Sequence, residues 1–139
     1  MKELLIRSLA GLVFVIAVIG SIYFSKLSFY ILFSFITIIA SLEYSKLSKL
    51  NSKVYKYFYA FLSLLIFTIT FLSSYGLAEN KTLLVIIPIL FIPAILELYK
   101  KDSTTESIAK AIFGVLYTSS AFAIMNYYFS IKEITLLLL

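Results

Sequence analysis

The 139-residue chain contains no cysteine, no histidine and no tryptophan. It has a single arginine, Arg7, and a single aspartate, Asp102. The missing cysteine excludes disulfides and thiolate nucleophiles, and with the missing histidine it excludes zinc sites of the Cys/His kind. Any catalytic triad built on an imidazole is excluded as well. Four glycines and two prolines leave no glycine-rich phosphate loop, and no paired-carboxylate or metal-ligand cluster stands out. Charge is also scarce. Only 14% of residues are charged, against about 25% in ordinary globular chains.

What is present is apolar. Hydrophobic residues make up 62% of the chain, and the mean hydropathy is +1.04. No soluble core of this size could hide so much apolar surface, so lipid must be the solvent for most of the chain. The net charge of +5 does not indicate nucleic-acid binding, because the basic residues lie between long apolar runs and form no continuous stripe. The opening residues resemble a signal peptide in charge, but the apolar stretch ends in Gly-Ser-Ile-Tyr-Phe-Ser without an Ala-x-Ala site. A retained first span is the better reading.

Charges divide the chain into spans at about 8–25, 27–45, 57–78, 82–99 and 109–131. A bilayer core needs about 20 helical residues, and unpaired backbone groups are not tolerated in hydrocarbon. The expectation is therefore an all-α, polytopic transmembrane bundle forming a single domain over 1–139, with no internal repeat. Pro88 and Pro93 fall within the fourth span and predict a kink, or an opened segment lining a cavity. Ser103 and Glu106 are spaced as a capping box, which would start the fifth helix near Thr104.

Orientation follows from the basic residues. With a cytoplasmic N-terminus, nine of them (Lys2, Arg7, Lys46, Lys49, Lys53, Lys56, Lys100, Lys101 and Lys110) lie inside, and Lys26, Lys81 and Lys132 lie outside. Tyrosines at the span ends predict the same boundaries as aromatic belts: Tyr23, Tyr30, Tyr75, Tyr127 and Tyr128 outside, Tyr44, Tyr55, Tyr57, Tyr59 and Tyr99 inside. Tyr117 alone sits deeper. The final Ile134-Thr-Leu-Leu-Leu-Leu139 rises only about 9 Å as helix. That predicts a truncated sixth span from residue 134 in a chain cut short; the alternative is a tail lying in the interface.

Ionisable residues within or beside spans are the candidates for function. Glu43 could pair with Lys46 at i, i+3, and reads either as a boundary glutamate or as a substrate-side carboxylate. Glu97 reads the same way with less support. Arg7 could snorkel to the headgroups or hold a lipid phosphate. Lys46, Lys49, Lys53 and Lys56 form a juxtamembrane basic run, whose attraction for anionic lipid is about 1 kcal/mol per residue. The lipid-headgroup candidates are Arg7, Glu43, Lys46 and Lys49. No catalytic, cofactor-binding or metal-binding residue is predicted. Thr37 with Ser41, and Ser119 with Ala123, are four apart and suit close helix contact.

Three stretches resemble one family. Residues 5–19, with their early Arg7, are similar to the opening span of the phosphatidate cytidylyltransferase (CDP-diacylglycerol synthase) family. Residues 29–50 resemble its second span, which closes with Ala-x-x-Glu-aromatic, here Ala40, Glu43 and Tyr44. Residues 111–125 resemble the span entered by a Phe-Gly-x-x-Tyr-like motif, here Phe113, Gly114 and Tyr117. The resemblance implies a polytopic inner-membrane enzyme of phospholipid biosynthesis. Such an enzyme joins CTP to phosphatidate with magnesium, through attack of the lipid phosphate on the α-phosphorus, and releases pyrophosphate. The family's catalytic signatures need several aspartates, a histidine and an arginine in its second half; with no histidine, one arginine at position 7 and one aspartate at position 102, those elements cannot be present here. The resemblance thus implies the N-terminal membrane part, inactive alone, with no cofactor in this chain and Mg2+ implied for the complete enzyme. Implied partners are membrane lipids, with phosphatidate and CTP for the complete enzyme, and a possible second copy in a homo-oligomer. The rival reading is a small non-enzymatic membrane protein, such as a helper subunit or transporter half, which solute flux would favour.

Overall fold

The computed structural model describes residues 2–48, 53–100 and 103–138, and gives side-chain environments for these except 2–7, 10, 22, 53–54 and 131–138. Every regular element described is helical. The order is α1 (Lys2–Phe24), α2 (Lys26–Leu47), α3 (Lys53–Ser74), a 3-10 segment (Asn80–Val85), α4 (Ile86–Leu98) and α5 (Thr105–Leu138). Four stretches are long and apolar enough to cross a membrane: Lys26–Leu47, Tyr55–Ser74, Asn80–Leu98 and Thr105–Ser130. Within α1, Gly11–Ser21 forms a shorter apolar stretch among the described residues. The chain is a helical membrane protein.

The chain divides into two compact units, Met1–Phe33 and Ser34–Leu139. In the first, Leu9, Leu12, Val13, Phe14, Val15, Ile16 and Ile19 are all exposed along α1, as suits a helix dissolved in lipid. The turn into α2 takes one residue. Ser25 caps α2 by accepting the Leu27 amide on its hydroxyl at 3.2 Å, which satisfies one of the amides orphaned at a helix start. Phe29 and Phe33, one helical turn apart, lie against each other with tilted rings, their centroids 4.4 Å apart.

In the second unit, α3 packs along α5, and α4 lies against both. The buried residues run in four-residue rows, the ridges by which helices interlock. Thr37, Ser41 and Ser45 form the row on α2, Ile89, Pro93 and Glu97 that on α4, and Ala111, Val115 and Ser119 one on α5. Tyr59, Leu62, Ile66, Ile89, Ala111 and Val115 form the apolar centre. Lipid tails are as apolar as leucine, so burying these side chains does not by itself hold the helices together. Close packing and hydrogen bonds must do so.

The polar residues within the bundle are satisfied mostly by their own helices. Ser45, Ser63, Thr118 and Ser119 each donate to the carbonyl four residues back, at 2.6–3.0 Å. Bonds between helices then bind the bundle crosswise. Ser63 on α3 lies 2.9 Å from Thr118 on α5 and 3.5 Å from Ser41 on α2. Asn126, fully buried, donates its amide to the Phe67 carbonyl at 3.3 Å and to Thr70 Oγ1 at 3.0 Å.

Several boundaries differ from those expected. α3 stops at Ser74 rather than Ala78, because Gly76 adopts the left-handed conformation (φ 68°) and closes the helix. The Leu77 amide reaches back to Leu72 and the Gly76 amide to Ser73, which is a Schellman ending. The capping box of α5 sits one residue later than predicted. Thr104 Oγ1 accepts the Ser107 amide, and Ser107 Oγ accepts the Thr104 amide, both at 3.1 Å. Glu106 instead pairs with Lys110 at 2.6 Å. α5 then runs unbroken to Leu138, so residues 134–138 continue the fifth helix and no turn at Lys132 and Glu133 sends the chain back.

The fourth span changes helix type before its first proline. Pro88 falls in the opening turn of α4, where its missing amide leaves no bond unmade. Pro93, inside α4 and buried, deprives the Ile89 carbonyl of its usual donor.

Candidate functional site

Chain connectivity gathers the polar groups at one end of the second unit. Short connections join α2 to α3 and α4 to α5, so the C-terminal ends of α2 and α4 and the N-terminal ends of α3 and α5 fall together. Two side-chain clusters occupy this end.

The first centres on Glu97, which is 3% exposed. Tyr59 Oη donates to Glu97 Oε2 at 2.9 Å, and Lys100 Nζ forms an ion pair with the same oxygen. The lysine also lies over the Tyr55 ring, 4.1 Å from its centroid, in a cation–π contact. A carboxylate near a helix C-terminus opposes the helix dipole, so it needs the cation that follows it one turn on. The cluster joins the start of α3 to the end of α4.

The second cluster joins α2 to α5. Tyr44 Oη donates to the Lys110 carbonyl at 3.2 Å. Its ring lies where a side chain on Gly114 would project: a Cβ built there would come 2.6 Å from Tyr44 Cδ1. The ring of Phe113 flanks it at 6.4 Å, and Phe113 in turn stacks on Tyr117 at 5.8 Å. Only glycine admits this approach.

The predicted lipid-headgroup residues fare differently. Glu43 and Lys46 are both exposed, and no ion pair joins them. Lys49 lies outside the described residues, as does the side chain of Arg7. Tyr57 and Tyr99 are exposed as a belt requires, but Tyr59 is not, being 2% exposed and bonded to Glu97. Of the small-residue pairs, Thr37, Ser41 and Ser119 are buried and Ala123 is half-buried.

A magnesium ion that arrives with a nucleotide needs only one or two carboxylates beside the phosphates and its own waters. Among the described residues no three of His, Cys, Asp and Glu come together. Glu97 is held by Lys100 and Tyr59, and Glu106 by Lys110.

The profile of the Cytidylyltransferase family matches residues 5–139. The chain belongs to that family. The match runs through both clusters, so the Tyr44–Gly114 and Tyr59–Glu97 contacts lie within the cytidylyltransferase segment. No curated protein matches the chain, and no solved structure matches it. The contact between Tyr44 and Gly114 brings together two of the three stretches that resemble the cytidylyltransferases, the Glu43-Tyr44 close of α2 and the Phe113-Gly114 entry to α5.

Sequence reasoning missed Tyr59, Tyr55 and Lys100 as a cluster around Glu97. The i, i+3 spacing of Glu97 and Lys100 was a signal available in the sequence. The part played by Tyr59, 38 residues away, had no local signal.

Proposed function

We propose that this chain is the N-terminal membrane part of a phosphatidate cytidylyltransferase, the enzyme that joins CTP to phosphatidate to form CDP-diacylglycerol and pyrophosphate. The observation that carries the reading is the family match over residues 5–139. In this reading the chain crosses the inner membrane five times with its N-terminus in the cytoplasm. The excess of basic residues on the loops assigned to the cytoplasm supports that orientation.

The chain serves as the scaffold for the reaction and does not perform it. Its 139 residues include no histidine, one aspartate and one arginine, which leaves out the signature elements that the family resemblance gives to the catalytic half. Its contribution lies at the basic end of the bundle. Arg7, Lys46 and Lys49 meet the phosphates of anionic lipids at the cytoplasmic headgroup level, with Glu43 orienting the end of α2.

Cytidylyl transfer with purified protein tests this. Given CTP, magnesium and phosphatidate in mixed micelles, the chain alone should form no CDP-diacylglycerol. Mixing it with the separately expressed catalytic part of a family member should restore product. Robust turnover by the 139 residues alone would overturn the reading, and so would failure of every such mixture.

A further inference from the structure

We propose that the 3-10 segment Asn80–Val85 adjusts the length of the fourth span, winding into α-helix in a thin bilayer and keeping its longer form in a thick one. That span, Asn80–Leu98, has 19 residues. As a plain α-helix it would rise about 28 Å, just short of a hydrocarbon core of about 30 Å. Its first 6 residues are 3-10 instead, which rises about 2.0 Å per residue against about 1.5 Å for an α-helix. The observed form is therefore about 3 Å longer, and the two forms bracket the usual thickness.

The first reason for the longer form is Pro88. In an α-helix the Leu84 carbonyl takes the amide four residues on, and Pro88 has none. A 3-10 turn bonds three residues on, so Ile87 can serve that carbonyl. The bonds of the segment follow this rule: the Thr82 amide donates to the Glu79 carbonyl at 2.9 Å, and the Ile86 amide to the Leu83 carbonyl. The second reason is a pair of anchors. Asn80 Oδ1 accepts from Ser73 Oγ at 3.2 Å, which ties the start of the segment to the end of α3. Past the segment, the buried row of Ile89, Pro93 and Glu97 seats α4 on the bundle, and Glu97 also accepts from Tyr59.

Side-chain packing does not pin the segment between these anchors. None of its residues is buried, and Leu84 and Val85 are exposed toward lipid. Leucine is a strong helix former, and 3-10 runs of this length are uncommon because their bonds are poorer. Winding into α-helix thus requires no repacking of the core. It gives up the one α bond that Pro88 cannot make, and it draws Asn80 toward α4. The weaker anchor yields, because a single hydrogen bond at exposed Asn80 gives way before a buried row. Membrane thickness supplies the bias: a thin bilayer leaves apolar residues beyond its hydrocarbon, and a shorter span brings them back.

The chain has no cysteine, so pairs of introduced thiols can carry spin labels at chosen positions. Lys81→Cys with Ile95→Cys spans the segment from two exposed sites, and Tyr57→Cys with Leu72→Cys on α3 is the control. The distances are measured by double electron–electron resonance in vesicles of dierucoyl or of dilauroyl phosphatidylcholine. Across the fourth span the separation should shorten by about 2.5 Å from the long-chain to the short-chain lipid, with the α3 pair unchanged. Pro88→Ala restores the α bond to Leu84 and should give the short separation in both lipids. A separation across the fourth span that ignores lipid length would overturn the proposal. So would an equal shortening on α3, and so would a Pro88→Ala protein that matches its parent in both lipids.

Discussion

The ring of Tyr44 occupies the space that a side chain at Gly114 would fill, and through this contact the end of α2 is locked against the start of α5. The tyrosine contributes twice, by its ring against the glycine and by its hydroxyl on the Lys110 carbonyl. The two contributions can be separated by substitution.

Gly114→Ala forces the ring or the helix to move and should cost about 2 kcal/mol of stability. Tyr44→Phe keeps the ring and loses one hydrogen bond, and should cost about 1 kcal/mol. In a Tyr44→Ala background, the alanine at 114 should be nearly harmless, because the space it needs is then vacant. Thermal unfolding of the single and double variants in detergent would measure the coupling. Additive losses would show that ring and glycine do not share this space.

The cluster around Glu97 predicts an asymmetry. Removing Lys100 leaves a buried carboxylate without its cation, so Lys100→Ala should cost about 3 kcal/mol, the lower end for a broken buried pair because the lysine is partly exposed. Adding Glu97→Gln to that variant should recover much of the loss, since the amide still accepts from Tyr59. Tyr59→Phe alone should cost about 1.5 kcal/mol. Denaturant or thermal unfolding of the three variants checks the order, which reverses if Glu97 is accessible enough to be solvated without Lys100.

These contacts mark the boundary of what was legible in the sequence. The helices were legible because charge and hydropathy are local: Lys26, Lys56 and Lys81 mark edges whatever the chain does elsewhere. Gly76 was a readable stop, and missing it carried the third span four residues too far. The motifs at Glu43-Tyr44 and Phe113-Gly114 could also be picked out. Their contact could not, because it joins residues seventy apart with no shared periodicity. Tyr59 was read as a belt tyrosine for the same reason. A tyrosine near a span end looks alike in sequence whether its hydroxyl meets water or a carboxylate on another helix.

The start of α5 offers a test of register. The hydroxyls of Thr104 and Ser107 cap it reciprocally, while Ser103 lies one residue before the cap. Thr104→Ala should therefore destabilise the chain by about 1 kcal/mol, whereas Ser103→Ala should leave it unchanged. Amide exchange at Ser107 should quicken in the first variant and not in the second. The opposite pattern would restore the Ser103–Glu106 box.

Asn126 gives the sharpest contrast between removing a polar group and charging it. Its amide nitrogen bonds Phe67 and Thr70, but its carbonyl oxygen is buried without a partner. Asn126→Leu removes the two donors and the unmet acceptor together. It orphans nothing on α3, because the Thr70 hydroxyl already donates to the Phe67 carbonyl at 2.8 Å. The loss of two interhelical bonds is offset by the loss of the unmet oxygen, so the change should stay within about 1 kcal/mol. Asn126→Asp has nearly the same shape but places a carboxyl where its ionised form has no cation to meet. It should destabilise by more than 3 kcal/mol at neutral pH and recover as the pH falls and the carboxyl is protonated. Unfolding temperature measured against pH for the three proteins decides the matter. An aspartate variant as stable as the leucine variant at neutral pH would mean that water reaches this position, and that the seam between α3 and α5 is wet.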